Sequence, residues 1–159
     1  MTIATGEQLP HAVMNVLKDG VQAVDTNDVF ADKNVVLFAV PGAFTPTCSA
    51  KHLPGFVQHM DAFRAKGVEV ACMAVNDAFV MDAWAKNQDV PEDLTMLADG
   101  NGAFTAALGL EMDGSAFGLG KRSKRFALYA ENGVVKQLFV EAPGEFKVST
   151  AEHMLSALD

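Results

Sequence analysis

Two apolar runs, Val35–Val40 and Val68–Val75, stand on either side of a stretch with helical periodicity. Few folds accommodate that order. A run without polar alternation suits a strand buried on both faces of a sheet. Between the runs, Leu53, Phe56, Val57, Met60 and Phe63 recur every three or four residues, which places them on one face of a helix. Gly67 marks its end. Pro54 lies inside the segment and is expected to kink or break it. A helix leading from one buried strand to the next is a crossover, so the central strands are expected to pair partly in parallel.

The remaining segments add to that frame. Residues 12–17 and 21–25 flank Asp19-Gly20 and read as an N-terminal hairpin. Asn76 is placed to cap a helix carrying Phe79, Val80, Ala83 and Trp84. Leu94–Ala98 reads as a third strand, and residues 102–108 as a short helix ending at Gly109. Residues 125–130 and 134–141 flank Glu131-Asn132-Gly133, a second hairpin signal. Ser149 and Glu152 have the spacing of a capping box before a last helix with Met154, Leu155 and Leu158 inward. The expectation is one α/β domain over residues 1–159. It has a mixed central sheet, helices on both faces and an N-terminal hairpin extension; the thioredoxin-like fold belongs to this class.

Charge and cysteine content narrow the function. With 12 basic and 20 acidic residues the formal charge is −8, a poor match for a phosphate backbone, so no nucleic-acid partner is expected. Two cysteines, Cys48 and Cys72, build neither a disulfide framework nor a four-ligand zinc site alone. The first ten residues lack a basic and an apolar region, so no secretory signal is expected there. The longest strongly apolar run, Val35–Val40, falls far short of the ~20 residues that span a bilayer, and no membrane association is expected. The expected compartment is the cytoplasm, with both thiols reduced.

The informative segment is Pro41-Gly-Ala-Phe-Thr-Pro-Thr-Cys48-Ser, between a buried strand and an amphipathic helix. Cys48 is therefore expected in or near the first turn of a helix, where free N–H groups and the positive dipole end favour a thiolate. The carboxyl end of a central strand is also where open α/β sheets bind ligands. A small buried hydrophobe at a helix start is the alternative. Dithiol oxidoreductases carry a second cysteine three residues earlier, but here that position is Thr45. A hydroxyl forms no disulfide; it can hydrogen-bond a thiolate or an oxygen substrate.

At this point the spacing Pro41-x-x-x-Thr45-x-x-Cys48 resembles the active-site motif of peroxiredoxins. The fuller string PGAFTPTCSAKHLPGF is similar to the type II, or Prx5-like, subgroup. The likeness continues through Val75-Asn-Asp-Ala-Phe-Val-Met-Asp-Ala-Trp84 and Lys121-Arg-Ser-Lys-Arg-Phe126, nearly the whole chain. It implies a peroxidase that reduces hydrogen peroxide and small alkyl hydroperoxides. Cys48 would be the peroxidatic nucleophile, and Thr45 would place the peroxide by donating and accepting hydrogen bonds. Arg125 would supply a cation, and Pro41 would cover the thiolate. Gly42, Phe44, Thr47 and His52 would line the substrate pocket. No cofactor and no metal are implied. The subgroup commonly forms homodimers, with contacts expected here around Phe44 and Phe79. Some relatives resolve the sulfenic acid with a cysteine near the last helix; the corresponding stretch here is Phe146-Lys-Val-Ser-Thr150. The implied cycle has one cysteine and an external reductant, glutathione with glutaredoxin or thioredoxin.

Bland readings stand beside these. Cys72 lies in a strand and is expected to be an inert core residue, with a resolving role as the alternative. The cluster Lys121, Arg122, Lys124, Arg125 after Gly118-Leu-Gly120 lacks phosphate-loop spacing and reads as a solvated loop with one inward arginine. Residues 99–102 read as a turn. A redox sensor that oxidises Cys48 to alter a partner contact is the competing function.

Overall fold

The computed structural model describes residues 2–159. Its centre is a seven-stranded sheet in the order β2-β1-β5-β4-β3-β8-β9. The strands are β1 (Val13–Leu17), β2 (Val21–Asp25), β3 (Asn34–Ala39), β4 (Glu69–Ala74), β5 (Leu94–Ala98), β8 (Phe126–Glu131) and β9 (Val134–Val140). β3, β4 and β5 are parallel, joined by helical crossovers as the two apolar runs require. β1 and β8 flank them antiparallel. The sheet is thioredoxin-like and mixed, with both expected hairpins formed.

The central strands feed two cores. Val36, Phe38, Val70 and Cys72 face one cluster, while Val35, Leu37, Ala71 and Met73 face the other. This is the period-two alternation of a sheet covered on both sides. Helices α2 (Leu53–Gln58), α3 (Met60–Ala65), α4 (Ala78–Asn87) and α6 (Ala151–Leu158) cover the first face, and α1 (Thr26–Phe30) and α5 (Ala103–Leu108) the second. Phe38 stacks on Phe56 with centroids 4.0 Å apart. That contact docks α2 on β3 directly behind the segment carrying Cys48.

Several boundaries differ from the sequence expectation. The local distortion expected at Pro54 takes the form of a π-helical turn, Cys48–His52, directly before α2, with Pro54 in the first turn of that helix. Proline lacks an N–H and its ring crowds the carbonyl four residues back. The wider π turn, in which Leu53 N–H donates to Cys48 O, relieves that crowding. The break comes at His59, whose Nδ1 takes the Gly55 carbonyl at 2.8 Å while its own N–H turns to Phe56 O. A side chain there competes with the helix ladder.

The caps also shift by one residue. Asp77, not Asn76, caps α4 by accepting from Val80 N–H. Thr150, not Ser149, caps α6 by accepting from His153 N–H. In both cases the displaced residue is engaged at the site described below. Residues 99–102 do turn, and buried Asp99 receives Phe104 N–H, Thr105 N–H and the Thr105 hydroxyl to start α5. The basic segment is not a plain loop: Lys121–Ser123 forms β7, paired with β6 (Glu111–Asp113) in a small second sheet.

Candidate active site

The site lies where β3 ends. Residues 41–45 connect that strand to a helix that begins at Pro46. Proline suits a first turn because no acceptor awaits its missing N–H. Thr45 N–H and Oγ1 both donate to Gly42 O, the hydroxyl at 2.6 Å. Thr45 therefore keeps its oxygen lone pairs as acceptors for a peroxide O–H, while its own proton is engaged. That is narrower than the donor-and-acceptor role expected from sequence. Phe44 holds a left-handed φ of +65° and is 52% exposed. The strain is about 1–2 kcal/mol, so the loop needs holding from outside.

Cys48 is the first residue of the π turn and is fully buried. Its first-turn location brings it beside N–H groups that have no carbonyl one turn earlier. Arg125, immediately before β8, donates from Nη2 to Cys48 Sγ at 3.1 Å. Its Nη1 donates to His52 Nδ1 at 2.8 Å. A guanidinium has donors only, so Nδ1 must be the accepting nitrogen. The His52 proton is then on Nε2, which donates to Ser149 O at 2.9 Å. Burial pushes the His52 pKa down to about 3, and the Arg125 charge adds to that against the opposing Ser149 carbonyl and Glu141 carboxylate. His52 is a neutral, single-tautomer acceptor that aims the arginine.

A second layer holds the first. Glu141 N–H donates to Arg125 O at 3.0 Å. Its carboxylate receives Lys147 N–H, Val148 N–H, Ser149 N–H and the Ser149 hydroxyl, all within 2.7–2.9 Å. Burial raises the Glu141 pKa, but the Ser149 hydroxyl and the three N–H groups outweigh it and hold the carboxyl below its usual range. The strap so anchored presents Phe146, whose ring centroid is 5.7 Å from the Arg125 guanidinium carbon and 5.1 Å from the His52 ring. Arg125, Glu141, the strap and His52 thus form a closed circuit around one guanidinium.

The other expected residues fall as follows. Pro41 and Gly42 lie in the loop, and Asn76 Oδ1 accepts Ala43 N–H at 2.9 Å to pin it. Thr47 is half-buried at the helix start and makes no capping bond. Phe79, at the start of α4, is 63% exposed. Cys72 sits on β4 beside Phe38 and Met96, fully buried, and both cysteines are free. Burial pushes its thiol well up; the nearby Cys48 adds to this and Arg125 opposes it.

The basic cluster departs from expectation: two arginines turn inward, not one. Arg122 donates to Leu119 O at 3.0 Å and to Pro41 O at 3.2 Å. Sequence reasoning also passed over Glu141, Phe146 and Asn76 as site residues. For Glu141, the only available signal was an acidic residue at the end of an apolar strand. No His, Cys, Asp or Glu group among the described residues is arranged to hold a metal. No helix among them is long and apolar enough to cross a membrane.

A Redoxin family model matches residues 4–155. Peroxiredoxin-2E, a chloroplastic protein of Arabidopsis thaliana, is 48% identical over 163 residues, covering 99% of this chain and 70% of that protein. Peroxiredoxin-2C of Oryza sativa subsp. japonica is 47% identical over 159 residues, covering 98% of each. Among solved structures, reduced Prx3 of Vibrio vulnificus in complex with hydrogen peroxide is 52% identical. It superposes with a TM-score of 0.95 over 99% of this chain and 100% of that one.

Proposed function

Since this chain belongs to the peroxiredoxins, of the type II or Prx5-like kind, and reduces peroxides with thiols, we propose that Cys48 is its peroxidatic nucleophile in a one-cysteine cycle. Residues 1–159 act as a single domain in this reading. The carrying observation is the Arg125 guanidinium 3.1 Å from Cys48 Sγ, held by His52 on its other arm.

The Cys48 sulfur attacks one peroxide oxygen. An S–O bond forms as the O–O bond breaks, and the electron pair leaves on the distal oxygen, which takes a proton and departs as water or an alcohol. Sulfur is oxidised by two electrons to the sulfenic acid. Arg125 stabilises charge on the sulfur and the departing oxygen, the Thr45 oxygen accepts a hydrogen bond from the peroxide O–H, and Pro41 shields the pocket from water. An external thiol then attacks the sulfenic sulfur, releasing water and leaving a mixed disulfide that a second thiol reduces. Cys72 is a poor resolving thiol because its burial keeps it protonated.

Cys48→Ser is expected to abolish peroxide consumption, and trapping the sulfenic acid with dimedone should label residue 48. Persistent activity in that variant would overturn the reading. Glutathione with glutaredoxin and thioredoxin are the candidate reductants; parallel turnover assays with the two systems decide between them. A sensor using the same cysteine would oxidise once without cycling. The chain is read as a cytoplasmic homodimer whose contacts include the exposed Phe44 and Phe79. Sedimentation of wild type against Phe79→Asp tests the dimer, and fractionation of cells tests the compartment.

A further inference from the structure

The loop that would meet the peroxide is held largely by side chains from elsewhere. Within it, Thr45 bonds back to Gly42 O, and Phe44 sits in the left-handed region. Asn76 reaches in to Ala43 N–H. The other outside anchor is Arg122 of β7. Its Nε donates to Leu119 O and its Nη1 to Pro41 O, so one guanidinium ties the β6–β7 hairpin to the loop. Gly42 permits the approach: a Cβ there would stand 2.7 Å from Arg122 Nη1.

We propose that Arg122 is a positioning residue for peroxide reduction, fixing the Pro41 carbonyl and through it the loop that places the Thr45 oxygen. This rests on Cys48 being the peroxidatic nucleophile. The hydrogen bonds of Arg122 go to Leu119 and Pro41, and those of Arg125 to Cys48 and His52. The two cations therefore have separate duties. Arginine suits the task because it stays charged and its rigid fork reaches two carbonyls in fixed directions. A lysine has one nitrogen in place of the two that Arg122 uses, and does not reproduce their fixed directions. The loop matters to rate because a misplacement of about 1 Å can cost on the order of 10²-fold.

Two reactions of Cys48 separate positioning from general damage: oxidation by hydrogen peroxide, and alkylation by iodoacetamide, which needs the sulfur but no peroxide cradle. Arg122→Ala is expected to slow oxidation by roughly tenfold while alkylation changes by less than about twofold. Arg122→Lys should fall between wild type and Arg122→Ala. Equal oxidation rates in wild type and Arg122→Ala, or oxidation and alkylation falling together, would overturn the proposal. If Arg122→Ala does not fold, Arg122→Lys decides by the same two rates. Continued peroxide consumption by Cys48→Ser would instead remove the premise, leaving the loop measurement uninterpretable as catalysis and the proposal refuted with it.

Discussion

Arg125 donates to His52 Nδ1 at 2.8 Å, and that bond fixes the tautomer of a histidine that burial keeps neutral. The folded-state pKa, about 3, lies below the ordinary 6.5. Between those values the unfolded chain binds more protons than the folded one. The contribution of His52 to stability is therefore fully present above about pH 6.5 and is lost as pH falls toward 3, at about 1.4 kcal/mol per pH unit. Urea midpoints from pH 7 to 4 should fall more steeply for wild type than for His52→Gln, which keeps one donor and one acceptor. Parallel slopes would count against the neutral lock.

Arg125→Ala should slow oxidation of Cys48 by about 10²–10³-fold, the scale on which a preorganised donor in a dry site acts. The single tryptophan offers a readout, since Trp84 Nε1 donates to the hydroxyl of Ser49, next to Cys48, at 3.0 Å. Stopped-flow fluorescence after mixing with peroxide measures the rate. An unchanged trace would remove the guanidinium from the reaction.

Glu141→Gln should destabilise the protein by about 2–4 kcal/mol, because Oε2 receives all four donors, an uncharged amide oxygen accepts them less strongly, and an NH2 group in the place of Oε1 would face the Lys147 N–H. It should also slow oxidation several-fold, as the strap that presents Ser149 O and Phe146 loosens. The carboxyl is held below its usual range, so this stabilisation is present above the ordinary glutamate pKa and fades as pH falls below it. Thermal melts at pH 7 and pH 4 should show a smaller gap between variant and wild type at the lower pH.

Cys72→Ala should turn over as wild type does with either reductant system, at a cost of about 1 kcal/mol in stability for the lost packing. Mass spectrometry after peroxide treatment should find no Cys48–Cys72 disulfide. Finding one would restore Cys72 as a resolving thiol.

The sheet was legible because burial on both faces leaves a mark in sequence: Val35–Val40 and Val68–Val75 have no polar alternation. Cys48 was legible because a strand end, a proline and a helical period meet at one place. Arg125 could be named only through family likeness, since nothing local distinguishes it from Lys124. Arg122 and Glu141 were missed for a related reason. Their roles depend on carbonyls and N–H groups far away in sequence, such as Pro41 O, 81 residues from Arg122. Backbone partners leave no pattern in side-chain order. The capping errors at Asn76 and Ser149 have the same origin, because each sequence signal was real but a tertiary bond had claimed the group.

The distance along the chain between Cys48 and its guanidinium, 77 residues, bears on how the protein is made. A ribosome exposes the thiol first, then the crossover strands, and only later Arg125. Ser149 O, which holds His52 in place, is 97 residues downstream of that histidine. A nascent chain stalled between these points carries a cysteine without the circuit that aims a cation at it. Reactivity toward peroxide is thus gained only after Arg125 and then Ser149 have joined the sheet, so an active thiol reports that the sheet has closed.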